Sequence, residues 1–469
     1  MEEVKKNLRL RAPAKATVWY IASSAIARAI GVLSTPIFTR LLTPEEYGLY
    51  PLYNTWLGVL TVIVTLELTG GVMYRGLQKF SDQKDDFISA SFGLFIFVFV
   101  AFCTLYFAFG SFFSEIIGLS TRVMILMFIQ IFANSVISFY IAKARFMYEY
   151  KSVASLNLLS SLGVPLISVA LVLLTNIKAE ARIIGSCLTI ATIAIPIGYS
   201  LVKQSNKLYD KDVWRFLLKF SLPLLPHYFA MTLMMRISEI SVGRFFGTDA
   251  LGKYSVAVSV GMVLTIVTTG LLSSLSPWML RKLSAGETDK IKDFLFLTTK
   301  ALALTCLMIL AVAPEIIRIL TPSVFHASLP GIYPLEIAVI PMFLSNALMS
   351  AGMYYERSGL SGTPSIIAAT VSTILAIAVL PHLDYRFAGV FVLVSYLLLA
   401  VLNALVFKRL SGTTPIYVKK SLSVFALTIG YAVLLFLFRN VLISRIILTL
   451  PLIPLLFTLG KQIISDIRE

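Results

Sequence analysis

The stretch FISASFGLFIFVFVAFCTLYFAF, Phe87–Phe109, contains no charged residue and is bounded by Asp85 and Asp86 on one side and Gly110 on the other. Crossing the hydrocarbon core of a bilayer takes about 20 such residues in a helix. In lipid a lone segment must bond its own backbone, which selects helix over strand. The same reading applies outward along the chain, for example to LTIGYAVLLFLF, Leu427–Phe438. Of 469 residues 58% are hydrophobic and 14% charged, whereas ordinary soluble proteins are about 25% charged. A large soluble enzyme is thereby excluded, and an all-α polytopic membrane protein is expected.

The sequence predicts spans over 16–39, 47–69, 87–109, 122–141, 152–174, 183–202 and 216–243. A second set covers 254–276, 294–313, 332–353, 364–381, 387–407, 421–438 and 443–464. That is about fourteen transmembrane helices, with twelve or thirteen as the alternatives because 364–381 and the last two are the weakest. The first apolar stretch is longer than the roughly 7–15 residues of a signal-peptide core and no small-residue cleavage site follows, so it is expected to remain as a span. Cys103, Cys187 and Cys306 all lie in apolar runs without metal-ligand spacing, which reads as buried thiols and no metal.

The formal charge is +16. Its distribution explains it without nucleic acid: Lys and Arg crowd the N-terminal tail and the even-numbered connections, and the odd-numbered ones carry far fewer. Cytoplasmic loops are the Lys/Arg-rich ones, so both termini are expected in the cytoplasm, in a multi-pass protein of the cytoplasmic (inner) membrane. Clusters such as KQSNKLYDKDVWR and RKLSAGETDKIKD then lie against anionic lipid headgroups.

TRLLTPEEYGLY, Thr39–Tyr50, recurs in weaker form as GRFFGTDALGKY, Gly243–Tyr254. The first joins spans one and two; the second joins spans seven and eight. Six spans separate them, an even number, so the two halves share one orientation. Parallel repeats of this kind bind substrate at the interface of the halves and open it to alternate sides. The expected organisation is an N-terminal six-helix lobe over 1–202 and a cytoplasmic linker over 203–215. A C-terminal six-helix lobe follows over 216–407, and 408–469 adds two further helices. Within the motif, Pro44 suits a helix start, and Glu45 or Asp249 suits an N-terminal cap.

ARAIGVLSTPIFTRLLTPEEYGLY resembles the opening of the polysaccharide transporter family, the O-antigen and lipid-linked oligosaccharide flippases of the multidrug/oligosaccharidyl-lipid/polysaccharide superfamily. RFFGTDALGKYSVAVSV resembles the start of that family's second half. The likeness runs through essentially the whole chain in span count, loop pattern and linker position. It implies two six-helix lobes around a cavity, often with two extra C-terminal helices. It also implies a cargo of polyprenyl-diphosphate-linked sugar repeat units, moved from inner to outer leaflet. Further implied partners are the membrane lipids and a polysaccharide polymerase with its chain-length machinery.

An anionic diphosphate and polar sugars need a cationic, hydrogen-bonding path, and intramembrane charges are costly enough to be functional candidates. Arg28 lies midway along the first span, beyond comfortable snorkelling reach, and its fork suits phosphate. Gly31 and Ser34 follow on the same small-residue face. Lipid II flippases, relatives in the superfamily, also carry Arg-x-x-Gly there. They have further arginines on the first, second and eighth helices, whereas here the first span has Arg28 alone and 47–69 and 254–276 have none. That makes a peptidoglycan precursor a less fitting cargo. Arg236 is the second-half counterpart, and Glu239 can pair with it three residues on. Gln130, Asn134, Asn157 and Asn346 are candidate sugar contacts. Glu67 and Glu239 are candidate coupling-ion or gating groups. His227, between Pro226 and Tyr228, reads as part of a proline-bent segment.

Two other functions are alternatives on the same composition. An exporter of drugs or small cations on the same architecture would want carboxylates in its path, and mid-span acids are few. A polymerase or glycosyltransferase would need acidic or histidine clusters on sizeable outer loops. The outer loops are short, no DxD or paired-carboxylate arrangement occurs in any loop, and His227, His326 and His382 are scattered. No catalytic residue and no cofactor are expected, and the absence of a glycine-rich phosphate loop argues against direct ATP hydrolysis.

Overall fold

The computed structural model describes residues 2–204, 207–355, 358–414 and 416–468; residues 205 and 206 of the expected linker lie outside this range. Every regular element among the described residues is helical. Ten helices are long and apolar enough to cross a membrane, or eleven if the bent pair at the C-terminus counts as one span. The chain divides into two compact units, Met1–Thr232 and Leu233–Glu469.

The first unit contains α1 (Glu2–Leu41), α2 (Pro44–Thr65), α3 (Gly71–Lys79), α4 (Lys84–Ala108) and α5 (Gly110–Ile117). It continues with α6 (Thr121–Phe146), α7 (Tyr150–Leu174), α8 (Lys178–Gln204) and the opening part of α9 (Lys211–Gly261). Helix α8 packs on α2, α6 and α7, and α1 packs on α7. The close approach of α7 and α8 depends on Gly185, where a Cβ would sit 2.5 Å from the Ser168 Cα. The uncharged stretch at Phe87–Phe109 becomes α4, and its aromatic residues divide by face. Phe92, Phe95, Phe99, Phe102 and Tyr106 follow helical spacing and meet Phe128, Phe132 and Phe139 of α6 at ring separations of 5.0–6.5 Å. Such pairs contribute about 0.5–1.5 kcal/mol each beyond burial. Phe97, Val100, Phe107 and Phe109 are exposed, as suits a lipid-facing side.

The Thr39–Tyr50 motif makes a tight break between α1 and α2. Thr43 is extended, its hydroxyl accepts from Glu46 N–H at 3.3 Å, and the Glu46 carboxylate accepts from Thr43 N–H at 2.9 Å. This reciprocal box, with Pro44 at the first helical position, sets the start of α2. The cap is Thr43 with Glu46; the sequence had pointed to Glu45. In the second half the motif lies inside α9, which bends at Gly247 (φ 79°, ψ −177°), a conformation that favours glycine. Asp249, the other expected cap, instead pairs with Lys253 at 2.6 Å.

Helix α2 stops at Thr65, short of the expected 69, because Leu66 and Glu67 both adopt left-handed backbone (φ 48° and 52°). Successive non-glycine residues in that region cost about 1–3 kcal/mol each.

The second unit begins within α9 and continues with α10 (Leu264–Ser284), α11 (Thr288–Leu320), α12 (Leu329–Gly352), α13 (Ser358–Val379) and α14 (Ala388–Ser411). Helix α12 is its most enclosed element, packed by α10, α11, α13's neighbour α14 and α15. The C-terminal extension is α15 (Val418–Leu437), then α16 (Leu442–Thr449) and α17 (Leu452–Arg468), the last two bent by 41°. All three helices of the extension pack on α11.

Candidate functional site

In the first unit α1 presents a polar strip. Arg28 is exposed and has no hydrogen-bond or ion-pair partner among the described residues. Nothing lies within 4 Å of where a Cβ on Gly31 would stand, so the space beside Arg28 is open. Ser34 donates its hydroxyl back to the Gly31 carbonyl at 2.7 Å, a local bond that flattens this side of the helix. On the neighbouring α7, half-buried Asn157 donates to Ser23 Oγ at 3.5 Å, which places an amide against α1 just over one turn before Arg28.

Gln130 lies elsewhere. It is buried at the meeting of α2, α6 and α8, accepting from Tyr53 Oη at 2.8 Å and donating to Ser186 Oγ at 3.0 Å. Both ends of its amide are thus engaged in packing. Asn134, one turn further along α6, is half-buried and has no partner among the described residues. Glu67 sits in the left-handed turn after α2, within electrostatic reach of Tyr228 on α9. His227, next to Tyr228, is half-buried in the segment of α9 that contains Pro223 and Pro226.

This unit also holds a cavity of about 500 Å³ lined by Lys79, Arg215, Lys219 and Asp212 with Phe80, Phe216 and Phe220. Lys79 rests over the Phe216 ring at 4.8 Å. Cations over an aromatic floor make a surface suited to an anionic group with an apolar tail.

In the second unit Arg236 and Glu239 do pair, Nη1 to Oε2 at 2.9 Å across one turn of α9. The carboxylate is buried and the guanidinium about one-third exposed, leaving the Arg fork partly open. Tyr396 of α14 lies close to Arg236; its hydroxyl is buried without a partner among the described residues. Asn346 is half-buried on α12, where the adjacent Ser345 carbonyl accepts from Asn403 of α14 at 3.1 Å.

Three further charged residues are also buried, two of them completely. Arg182, at the start of α8, is 7% exposed and enclosed by the rings of Phe38, Tyr47 and Tyr50 at 4.1, 4.6 and 4.1 Å. The tyrosines belong to the Thr39–Tyr50 motif, so one purpose of that motif is to sheathe an arginine. Arg445 of α16 is fully buried, its fork on Glu315 of α11 at 2.6 and 2.5 Å, with a further bond to the Ala311 carbonyl. Glu336 of α12 is fully buried beside Cys306, and neither carboxylate oxygen has a partner among the described residues. A lone acid in the apolar run YPLEIAVIP was a signal available from sequence. Arg182 gave none, because its partners come from two other helices, Phe38 from α1 and Tyr47 and Tyr50 from α2. No group of three or more His, Cys, Asp or Glu residues able to hold a metal occurs among the described residues.

The arrangement is one of charged groups, some paired and some not, set among the helices of two units. The solved structures it resembles are transporters. With the lipid II flippase MurJ in an inward closed conformation the chain is 14% identical, covering 96% of this chain and 100% of that one at a TM-score of 0.66. With an inward-facing multidrug resistance MATE family transporter of the MOP superfamily it is 13% identical, covering 83% and 98% at 0.60. A MOP superfamily transporter from Pyrococcus furiosus, described as having a binding pocket of reverse polarity, is 13% identical, covering 90% and 96% at 0.54. At these identities the likeness is one of fold. No curated protein matches the chain. The model of the polysaccharide biosynthesis protein family matches residues 14–282, more than half of the sequence. With its membrane-spanning helices and flippase-like fold, the chain belongs to that family of polysaccharide biosynthesis proteins.

Proposed function

We propose that this protein carries a polyprenyl-diphosphate-linked oligosaccharide across the cytoplasmic membrane by alternating access, for surface polysaccharide synthesis. Its termini lie in the cytoplasm, and its product passes to a polymerase with chain-length machinery on the far side. Family membership supports a polysaccharide precursor as cargo. The observation that carries the reading is Arg28, a guanidinium with open space beside it and no partner among the described residues. An unpaired cation at that depth is expensive unless an anion visits it. Arg236, half-neutralised by Glu239, is the second contact, and the Lys79–Arg215–Lys219 cavity receives the diphosphate before it crosses. The polar groups of Ser34, Asn134, Asn157 and Asn346 serve the sugars.

The test is Arg28→Ala in a strain that depends on this protein. Surface glycan is expected to fall by about tenfold, the worth of one charge-assisted contact, while the protein reaches the membrane at its normal level. Normal display would remove Arg28 and the reading built on it.

A second reading, export of small cations, draws on Glu336, whose buried and unpartnered carboxylate calls for a cation. In that case deletion raises drug susceptibility and leaves surface glycan untouched. Under the flippase reading Glu336 instead takes the coupling ion, and Glu336→Gln removes any dependence of transport on the ion gradient.

A further inference from the structure

Three connections of the second unit converge at the end where α11, α13 and α15 finish. They enclose a cavity of about 280 Å³. Its polar lining is Arg318 from the last turn of α11, His326 from the turn before α12, Arg386 from the turn before α14, and Arg439 with Asn440 from the turn before α16. No carboxylate lines it among the described residues.

The two nearby acids are already committed. Glu315 is held by the fork of Arg445 at 2.6 and 2.5 Å. Asp384 accepts from Arg386 Nε and Nη2, both at 2.8 Å, and from the Arg386 backbone N–H at 2.9 Å. Those bonds hold the Asp384 carboxyl below its usual range, so it stays charged. Arg318 and Arg439 are far less occupied. Arg318 has one long contact to Glu315 at 3.6 Å; Arg439 gives a single bond to the Phe436 carbonyl at 3.2 Å and rests one face on the Phe436 ring at 4.4 Å, which leaves its other N–H donors free for an anion. Counting Arg445, four guanidiniums face two carboxylates, and the surplus is on the two arginines that open into the cavity. Helix C-termini attract cations by themselves, but they do not explain why three separate connections bring guanidiniums to one hollow with an amide between them.

We propose that this cavity is a phosphate-binding site, taking a phosphate or diphosphate group of a lipid at this face of the membrane. Planar guanidiniums engage phosphate oxygens two at a time, Asn440 can donate to a third oxygen, and Ile317 and Leu329 of the lining suit the apolar part of a lipid. By the Lys/Arg distribution this is the outer face. The proposal stands apart from the transport reading, because a resident phospholipid would occupy the site whether or not the protein moves a glycan.

The experiment uses full-length protein in detergent with three probes: short-chain phosphatidic acid, inorganic pyrophosphate, and short-chain phosphatidylcholine as control. Saturable binding is measured for the wild type, for Arg318→Gln with Arg439→Gln, and for Asn440→Asp. Binding of a phosphate probe is expected to weaken about tenfold or more in both variants. Phosphatidylcholine should bind more weakly than phosphatidic acid throughout, because its choline cation meets arginines. Preference for phosphatidic acid identifies a phospholipid headgroup; equal competition by pyrophosphate identifies the free phosphate group as sufficient. Asn440 is exposed and in no hydrogen bond among the described residues, so Asn440→Asp keeps the test valid if the double variant folds poorly. No saturable binding of either phosphate probe, or equal binding by wild type and Asn440→Asp, would overturn the proposal.

Discussion

Arg182 shows how a single cation is kept in an apolar interior without an acid. Its guanidinium is desolvated by three aromatic faces, each contact worth from about 0.5 to 2 kcal/mol. Arg182→Lys retains the charge but exchanges a flat, weakly hydrated group for a compact ammonium. The purified protein is expected to melt lower in the Lys variant, with Tyr47→Leu in the same direction and Arg182→Lys adding little on top of it. Additive losses would show that the ring and the cation are not partners. At Glu336 the expectation has the opposite sign: Glu336→Gln replaces a buried, unpartnered carboxyl with a neutral amide of the same shape and removes the cost of burying a charge, so the melting temperature holds or rises. Lower stability would mean that the carboxylate is bonded in a way the fold does not display.

At the scale of helices, the pairing of Arg445 with Glu315 fastens α16 to α11. Arg445→Leu strips the half-buried Glu315 of its fork and leaves it only the long Arg318 contact, which is expected to cost about 1–3 kcal/mol. Adding Glu315→Leu should recover much of that loss, since hydrophobic replacement of a whole buried pair is often neutral. A double variant as unstable as the single one would sink this account of the extension. Loss of the Thr43–Glu46 box in Thr43→Ala should cost about 1 kcal/mol. Helices were the most legible level in the sequence, because an uncharged run such as Phe87–Phe109 has few alternatives in lipid. Their ends were less so: 47–69 ran on to include Glu67 because left-handed backbone at Leu66 leaves no compositional mark. The candidate site was legible only in part. The Arg236–Glu239 pair lies within one turn and could be foreseen from spacing. The Tyr53–Gln130–Ser186 chain, the Arg182 enclosure and the Arg445–Glu315 clamp join residues from separate helices, and one-dimensional periodicity carries no information about which helices meet.

For the whole molecule, the charge of +16 and its placement make a prediction about sidedness. In a variant whose three native cysteines are replaced, Ser323→Cys should react in intact cells with a thiol reagent that does not cross membranes. Lys290→Cys should react only after the membrane is opened. The reverse pattern would invert the topology and relocate the phosphate cavity to the cytoplasm. The ladder of rings between α4 and α6 bears on how the molecule is built. A segment as apolar as α4 can leave the insertion machinery and settle among acyl chains before α6 has been synthesised, since lipid solvates its bare rings about as well as protein does. Ring-to-ring fit, not escape from water, then draws the two segments together. Changing Phe95, Phe99 and Phe132 to leucine should therefore leave insertion intact while loosening assembly, so that newly made chains enter the membrane and are then cleared by its proteases.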